Sequence, residues 1–316
     1  MKKLLLGNAT VLTGAVLLVT ANPVSAQVFS DNFDAGTSAG GWTAVLSGSD
    51  AVASFAYNFG AIGVPSAPHS TGGSTIGMNF VVNQSAGVFQ GISATPNGQS
   101  FSGDFRVSFD MWLNYVGPLG PGGSGTTQFG SFGWGVTGAS AEWAGASSGV
   151  MLAPSLDGGS ASDYRLYKNN LNDGTLATYA AGSQNNSAAY YTSRFPGQTA
   201  PAAQLSFYPG QTGTTDAGEV AFKWYDVAMD RTGNTLAWYI DGSLIASTSL
   251  TGVPLAGNNI FFGMFDSNAG SSTDPNDFLN TAIFDNVVVS VPEPSSLAMM
   301  GMGLTLLIGR LLKKNS

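Results

Sequence analysis

Alternation of apolar and polar side chains is the main pattern between residues 27 and 291. It is clearest from residue 105 to residue 115, where every second side chain is apolar: Phe105, Val107, Phe109, Met111, Leu113 and Tyr115. A repeat of two places these side chains on one face of a β-strand and the polar ones on the other. The pattern therefore predicts strands with one face toward a core and the other partly wet, as in antiparallel sheets.

Similar runs at residues 51–59, 75–83, 88–92, 220–229, 236–240, 260–265 and 282–291 predict further strands, about a dozen in all. Asp241-Gly242 is a strong two-residue hairpin signal, and residues 231–234 have turn composition. Residues 117–149 predict a glycine-rich excursion, and residues 177–211 predict a polar insertion. Long loops of this kind in a compact domain are functional or mobile. We expect an all-β fold made of two antiparallel sheets in a jelly-roll sandwich.

The first 26 residues predict an export signal. Lys2 and Lys3 precede a mostly apolar run to residue 20, and Val24-Ser25-Ala26 supplies small residues for cleavage before Gln27. An uncleaved membrane anchor is the alternative, which the small residues disfavour.

The last 26 residues, 291–316, have three parts in order. Val291-Pro292-Glu293-Pro294 comes first, then an apolar run over residues 297–312, then a basic end formed by Arg310, Lys313 and Lys314. The run is slightly short of the roughly 20 residues that cross a bilayer, but flanking serines extend it and Arg310 reaches toward the headgroups. The basic end predicts a cytoplasmic terminus. A helix packed on the domain is the alternative, disfavoured because the run has no polar face.

This three-part tail resembles the PEP-CTERM sorting signal of Gram-negative bacteria. The resemblance implies that an exosortase-type enzyme of the inner membrane recognises the motif, removes the tail and passes the protein to the cell surface or extracellular matrix. Contact with the membrane would then be transient and confined to the terminal segments. The remaining β-sandwich domain is predicted to span residues 27–290.

Charge and cysteine content exclude several classes of partner and chemistry. Between the two signals the chain has 18 acidic and 6 basic residues, a net charge near −12. Such a chain repels nucleic acid and anionic lipid, and attracts divalent cations. Because the sequence has no cysteine, disulfides, thiolate metal sites and thiol catalysis are excluded.

Three short pieces of the middle region resemble the concanavalin A-like jelly rolls, which include lectin, laminin G-like and glucanase sandwiches. They are Phe29-Ser30-Asp31-Asn32-Phe33, then Trp224-Tyr225-Asp226-Val227 followed by Trp238-Tyr239-Ile240-Asp241-Gly242, and last Phe284-Asp285-Asn286-Val287. The resemblance implies that the first and last strands lie side by side, and that a structural calcium ion sits near these paired termini.

Glycoside hydrolysis requires two carboxyl groups about 5 to 9 Å apart. The middle region has only Glu142 and Glu219, and neither has an acidic residue two positions away. Asp226 and Asp230 are four residues apart and could share a face, but a bulge predicted near Tyr225-Asp226 and a turn intervene. His69, the only histidine, lies in loop composition and is expected to be solvated. We therefore expect a protein that is not an enzyme.

The aspartates favour calcium over acid–base chemistry. Asp31 lies on the first predicted strand, and Asp285 shares the alternation of Ile283 and Val287, so it would face an apolar layer. A buried carboxylate needs a hard cation or backbone donors. Both alternatives stay open: a calcium ion held by Asp31 and Asp285, or hydrogen bonds at the sheet margin.

Aromatic side chains outside the predicted core are candidates for stacking on sugar rings. They are Trp112, Trp134, Trp143, Tyr190 and Tyr191. The alternative for each is that it covers an edge of the sandwich. The leading prediction is an exported, non-enzymatic protein that binds extracellular polysaccharide. A structural or adhesive matrix protein without a discrete ligand is the second alternative, and a glycoside hydrolase the third.

Overall fold

The computed structural model describes residues 25–84, 87–117, 127–157, 159–268 and 279–292. Residues 27–291 form one compact unit, and residues 1–26 with 292–316 form another, of which only Ser25, Ala26 and Pro292 are described. The predicted apolar tail, Pro294, the basic end and Glu293 lie outside the described residues. Within the described ranges, no helix has the length and hydropathy needed to cross a membrane.

The described residues form fifteen strands. They are β1 Ser25–Asp31, β2 Trp42–Leu46, β3 Ala51–Asn58, β4 Ile76–Val82, β5 Gly91–Pro96, β6 Phe105–Asn114, β7 Gln128–Val136, β8 Val150–Pro154, β9 Tyr164–Lys168, β10 Leu171–Asn172, β11 Trp224–Thr232, β12 Thr235–Ile240, β13 Ser243–Ser249, β14 Asn259–Asp266 and β15 Thr281–Pro292. Two short helices, α1 Ala189–Thr192 and α2 Ala202–Phe207, lie between β10 and β11.

The strands form two antiparallel sheets. Sheet A has the order β13-β12-β11-β6-β15-β4-β3, and β1 also pairs with β15. Sheet B has the order β10-β9-β8-β7-β14-β5-β2. The predicted sandwich is confirmed, and the first and last strands are neighbours as the resemblance implied.

Aromatic side chains from both sheets form the core between them. Phe109 of β6 lies 4.9 Å from Phe262 of β14 and 5.0 Å from Phe132 of β7, measured between ring centroids. Phe284 of β15 packs 5.2 Å from Phe262. Each of these rings is at most 2% exposed. In a protein without disulfides, this buried apolar surface is the main source of stability.

Each sheet also carries a smaller apolar cluster on its outer face. On sheet A, Trp112, Trp224 and Ile283 pack under residues 59–67, which include Phe59. On sheet B, a cluster that includes Phe129 and Phe265 is covered in part by Trp143 and Ala144. One part of the outer face of sheet A is therefore covered, and another part is open to solvent.

Turn chemistry matches the sequence in the β12–β13 hairpin. Asp241 and Gly242 have φ values of 45° and 70°, as a type I′ turn requires. The bulge predicted near residues 225–226 is wrong, because β11 pairs with β6 without a register shift there. The strand predicted at residues 88–92 is instead β5, displaced toward the C-terminus.

The excursion predicted for residues 117–149 is wrong over β7, which lies near the centre of sheet B. Every residue of β7 is buried, because core side chains cover one face and the outer cluster the other. A strand buried on both faces shows no alternation, so periodicity does not reveal it.

Candidate functional site

A groove of about 660 Å³ lies on the open part of the outer face of sheet A. Along β6 the outward side chains change from exposed Arg106 and half-buried Ser108 to buried Asp110 and Trp112. The groove begins where this cover ends. It is lined mainly by polar groups: Gln27, Ser30, Asp31, Asn32, His69, Thr71, Arg106, Ser108, Asp226 and Asn286, with Phe109, Val287 and Val288.

Three aspartates lie in a row across the strands at this point. Asp110 of β6 is directly opposite Asp226 of β11 on one side and Asp285 of β15 on the other. Opposed residues in an antiparallel pair have Cβ atoms about 4.5–5.5 Å apart. Asp110 and Asp285 are completely buried, whereas Asp226 is exposed. Like charges this close are costly unless hydrogen bonds or protons compensate them.

His69 and Asn286 are the hydrogen-bond partners of Asp110. The Nδ1 atom of His69 lies 2.7 Å from Oδ1 of Asp110, and the backbone N–H of His69 donates to Oδ2 at 3.2 Å. The Nδ2 atom of Asn286 also donates to Oδ2, at 2.8 Å. The hydrogen bond to Asp110 raises the pKa of His69 above its ordinary value, although partial burial acts in the opposite direction. The side chain of His69 is 62% exposed, so the prediction of a solvated residue holds, but the residue also anchors its loop.

Asp285 is held by two donors. Ser70 Oγ donates at 2.9 Å and the backbone N–H of Asn286 at 2.8 Å. Burial raises the pKa of Asp285 to about 7, and the hydrogen bonds offset only part of that effect. This carboxyl group therefore titrates near neutral pH at the edge of the groove.

A register shift after Asp285 corrects one sequence prediction. The alternation predicted that Asp285, Ile283 and Val287 share a face. Ile283 lies in the outer cluster of sheet A, whereas Val287 lies in the core between the sheets. The strand changes face because Asn286 adopts a φ of 54° within an irregularity between Asp285 and Val288. Asp285 consequently faces the loop that carries Ser70.

Asp31, the other predicted calcium ligand, is occupied by protein donors. Its Oδ1 accepts hydrogen bonds from Phe33 N at 2.9 Å and Ser38 Oγ at 2.7 Å, and its Oδ2 from Trp42 Nε1 at 2.9 Å. The described ranges contain no group of three or more His, Cys, Asp or Glu arranged to hold a metal ion. The calcium site stays a prediction, and hydrogen bonding, its stated alternative, accounts for the contacts of both aspartates.

Three of the five candidate aromatic residues are buried, so the prediction that they are exposed to a sugar is wrong. Trp112 and Trp134 are 2% and 1% exposed, and Tyr191 is 0% exposed. Trp112 packs against Trp224, with 5.7 Å between ring centroids. Trp134 donates from Nε1 to two backbone carbonyls and lies in the core. Tyr191 packs 4.3 Å from Tyr164.

Trp143 and Tyr190 are partly exposed, but in different places. Trp143 lies 4.6 Å from the exposed Phe89 on the outer side of sheet B. Tyr190 stacks under Arg194 at 3.6 Å and donates its hydroxyl to the carbonyl of Leu244. The five aromatic residues therefore do not form one surface, and none of them lines the groove.

The two glutamates considered for catalysis lie outside the groove lining. Glu142 is 1% exposed, and both carboxylate oxygens accept hydrogen bonds of 2.6 Å from Ser148. Glu219 is 3% exposed, and burial followed by repulsion from Asp157 and Asp163 raises its pKa well above the ordinary value. Both residues are thus inaccessible to a polymer.

Sequence reasoning missed Asp110, Ser70 and Asn286 as components of the site. Asp110 lies on the polar side of the clearest alternating strand, and this position is the signal that could have identified it. Asn286 bonds to Asp110 from 176 positions away, and Ser70 bonds to Asp285 from 215 positions away, so no local spacing reveals them.

Comparison with known proteins identifies the C-terminal signal. Residues 290–314 match the model of the PEP-CTERM protein-sorting motif, and the motif implies processing by an exosortase. No curated protein matches the sequence.

Solved structures of similar fold include both binding proteins and enzymes. A Bacillus subtilis protein of unknown function with a galectin-like fold has 9% identity and a TM-score of 0.40, over 85% of this chain and all of that one. A Bacillus licheniformis β-glucanase has 12% identity and a TM-score of 0.39, over 83% of this chain and 96% of its own. The Emp47p carbohydrate recognition domain has 11% identity and a TM-score of 0.35, over 80% of this chain and 98% of its own. These likenesses concern the fold alone. The chain is an exported all-β protein that carries a PEP-CTERM sorting motif.

Proposed function

We propose that this chain is a non-enzymatic carbohydrate-binding protein of the cell surface or extracellular matrix, which holds a polysaccharide in the groove of sheet A. The observation that carries the proposal is the groove itself, with its volume of about 660 Å³ and its mainly polar lining. Amide, hydroxyl, imidazole and guanidinium groups together offer both donors and acceptors, which sugar hydroxyls require.

Export supports the same assignment. The sorting motif at residues 290–314 implies secretion, and an exported protein would meet extracellular polymers. The net charge near −12 of the middle region disfavours nucleic acid and anionic lipid as partners. An extracellular polysaccharide is the partner that suits this location and this surface.

A glycoside hydrolase is the enzymatic alternative, since Asp110 and Asp285 are opposed on neighbouring strands. Both carboxyl groups are completely buried, and both oxygens of Asp110 already accept hydrogen bonds. A nucleophile or general acid must reach the sugar bond itself. We therefore assign these residues to holding the loop and shaping the groove.

The test is retention on extracellular polysaccharide prepared from the organism itself. Wild-type residues 27–291 are compared with His69→Ala and Asn286→Ala, which remove side chains that line the groove, and with Trp143→Ala and Tyr190→Ala, which alter the aromatic sites outside it. We expect retention of the wild type and the two aromatic variants, and loss in the two groove variants.

Other outcomes point to the alternatives. Loss only in Trp143→Ala or Tyr190→Ala moves the site to that aromatic surface. No retention of any form contradicts the binding role and favours a structural matrix protein without a discrete ligand. Release of reducing ends from the polysaccharide contradicts the non-enzymatic assignment.

A further inference from the structure

Among the residues that the structure describes, the groove offers no exposed Phe, Tyr or Trp ring on which a sugar would stack. Of these three residue types its lining contains Phe109, which is 2% exposed with its ring in the core between the sheets. A ligand in this groove must therefore be held by hydrogen bonds and charge. The charge of the lining then determines which kind of glycan fits.

Most charges of the lining are already paired. Arg106 donates through one nitrogen to both carboxylate oxygens of Asp230, at 2.9 and 2.8 Å. Asp31 accepts hydrogen bonds on both oxygens, as described above. His69 is bonded to the buried Asp110. These groups add little free charge to the groove.

Asp226 is the exception. It projects from β11 beside Asp110, its side chain is exposed, and its carboxylate accepts no hydrogen bond and forms no ion pair with the residues that the structure describes. Asp226 and His69 both line the groove, and the charge of Asp226 adds to the raising of the pKa of His69 that the hydrogen bond to Asp110 mainly causes. The groove thus presents one unpaired carboxylate next to a loop-borne imidazole.

Resting on the proposed function, we propose that the ligand is a glycan with free amino groups, such as an N-deacetylated hexosamine polymer, and that one ammonium group pairs with Asp226. An ammonium group here forms a charge-assisted hydrogen bond and meets a favourable field from the acidic surface. An N-acetylated sugar lacks the charge, and a uronate is repelled. The hydroxyl of Thr71 and the side-chain oxygens of Asn32 and Asn286 remain available for sugar hydroxyls, whereas the amide nitrogens of the two asparagines already donate to protein groups.

The experiment measures the affinity of residues 27–291 for three tetrasaccharides of glucosamine, N-acetylglucosamine and galacturonic acid, at a pH where the amines are protonated. An oligolysine tetramer serves as a cation without sugar. Asp226→Asn removes the unpaired carboxylate. Asp216→Asn is the matched control, because Asp216 is exposed and does not line the groove.

We expect the wild type and Asp216→Asn to bind the glucosamine tetramer about fivefold more tightly than the N-acetylated one, as one exposed ion pair allows. Asp226→Asn loses this preference, and salt reduces it in the wild type. Equal affinity for the two sugars, a preference for the uronate, or an unchanged preference in Asp226→Asn overturns the proposal. Equal binding of oligolysine overturns the assignment to a glycan.

The two proposals fail in different ways. If a neutral glycan binds and His69→Ala or Asn286→Ala abolishes the binding, the proposed function stands and only the preference for amino groups is wrong. If neither these tetramers nor the organism's polysaccharide bind, both proposals are wrong.

Discussion

The imidazole of His69 lies 2.7 Å from the fully buried carboxylate of Asp110 and ties a loop to the middle of sheet A. Ser70, the next residue, donates to Asp285 on the adjoining strand. Two consecutive loop residues thus bond to two opposed strand residues. This anchoring holds His69 in the lining of the groove. If the loop were mobile, one wall of the groove would not be fixed.

Stability is expected to fall as the pH rises through the range from about 4 to 8. The pKa of Asp285 is raised from 3.8 to about 7, and that of Asp163 from 3.8 to about 6. The folded state therefore holds protons that the unfolded chain has lost, and it loses this advantage as the pH rises through these values. His69 acts in the same direction at higher pH, since the stability that its raised pKa contributes is lost above that pKa.

Asp285→Asn isolates one part of this effect. The variant keeps a side-chain oxygen but no longer ionises, so its stability relative to wild type should be greater at pH 8 than at pH 5, by roughly 1–2 kcal/mol. Urea denaturation at the two pH values measures the difference, with the exposed Asp216→Asn as control. An equal effect of Asp285→Asn at both pH values would show that Asp285 is ionised throughout the range.

Trp134 and Trp143 should respond to truncation very differently. Trp134 is 1% exposed and its indole N–H donates to the carbonyls of Phe101 and Asn258, so Trp134→Ala should cost about 3–5 kcal/mol of unfolding free energy. Trp143 is partly exposed on the outer side of sheet B, so Trp143→Ala should cost about 1 kcal/mol. Chemical denaturation of the two variants checks this, and similar losses would place Trp143 in the core as well.

Calcium dependence tests the one cofactor predicted from sequence. If Asp31 and Asp285 bind calcium, the melting temperature rises with calcium and falls with a chelator, because a ligand of the folded state stabilises it. If hydrogen bonds alone satisfy Asp31 and Asp285, the melting temperature is the same in calcium and in chelator. Asp31→Asn, measured in parallel, distinguishes a site at this position from one elsewhere.

The mature protein is expected to lack both terminal signals. Intact mass measurement of the exported form should give a chain that begins at Gln27 and lacks the tail after the Val291-Pro292-Glu293-Pro294 motif. Glu293→Ala within the sorting motif should retain the tail and keep the protein with the membrane. Full-length protein outside the cell would contradict the predicted processing.

Periodicity revealed β6, whose outer face is partly wet, and missed β7, which is buried on both faces. β6 was evident because Arg106 and Ser108 remain accessible between core residues. In β7, glycines occupy positions where side chains do not fit: a Cβ at Gly133 would lie 2.1 Å from the carbonyl of Val150. These glycines suggest a loop in the sequence, whereas in the structure they allow close packing.

The groove depends on contacts that local patterns do not encode. Asp110 was placed on the polar face of its strand, but its partner His69 is 41 residues away in a loop with no periodicity. The exposure of the aromatic residues was predicted wrongly for a related reason. A Trp on the polar side of a strand is exposed only if nothing covers that face, and residues 59–67 cover Trp112.

The most direct test of the account is to map where a glycan contacts the domain. Backbone amide chemical shifts of residues 27–291 are recorded during titration with the organism's extracellular polysaccharide, cut to short oligomers. If the groove binds the glycan, the largest changes fall on Ser108, Asp226 and Asn286, which line it. Changes confined to Phe89 and Trp143, or no changes at saturating oligomer, would contradict it.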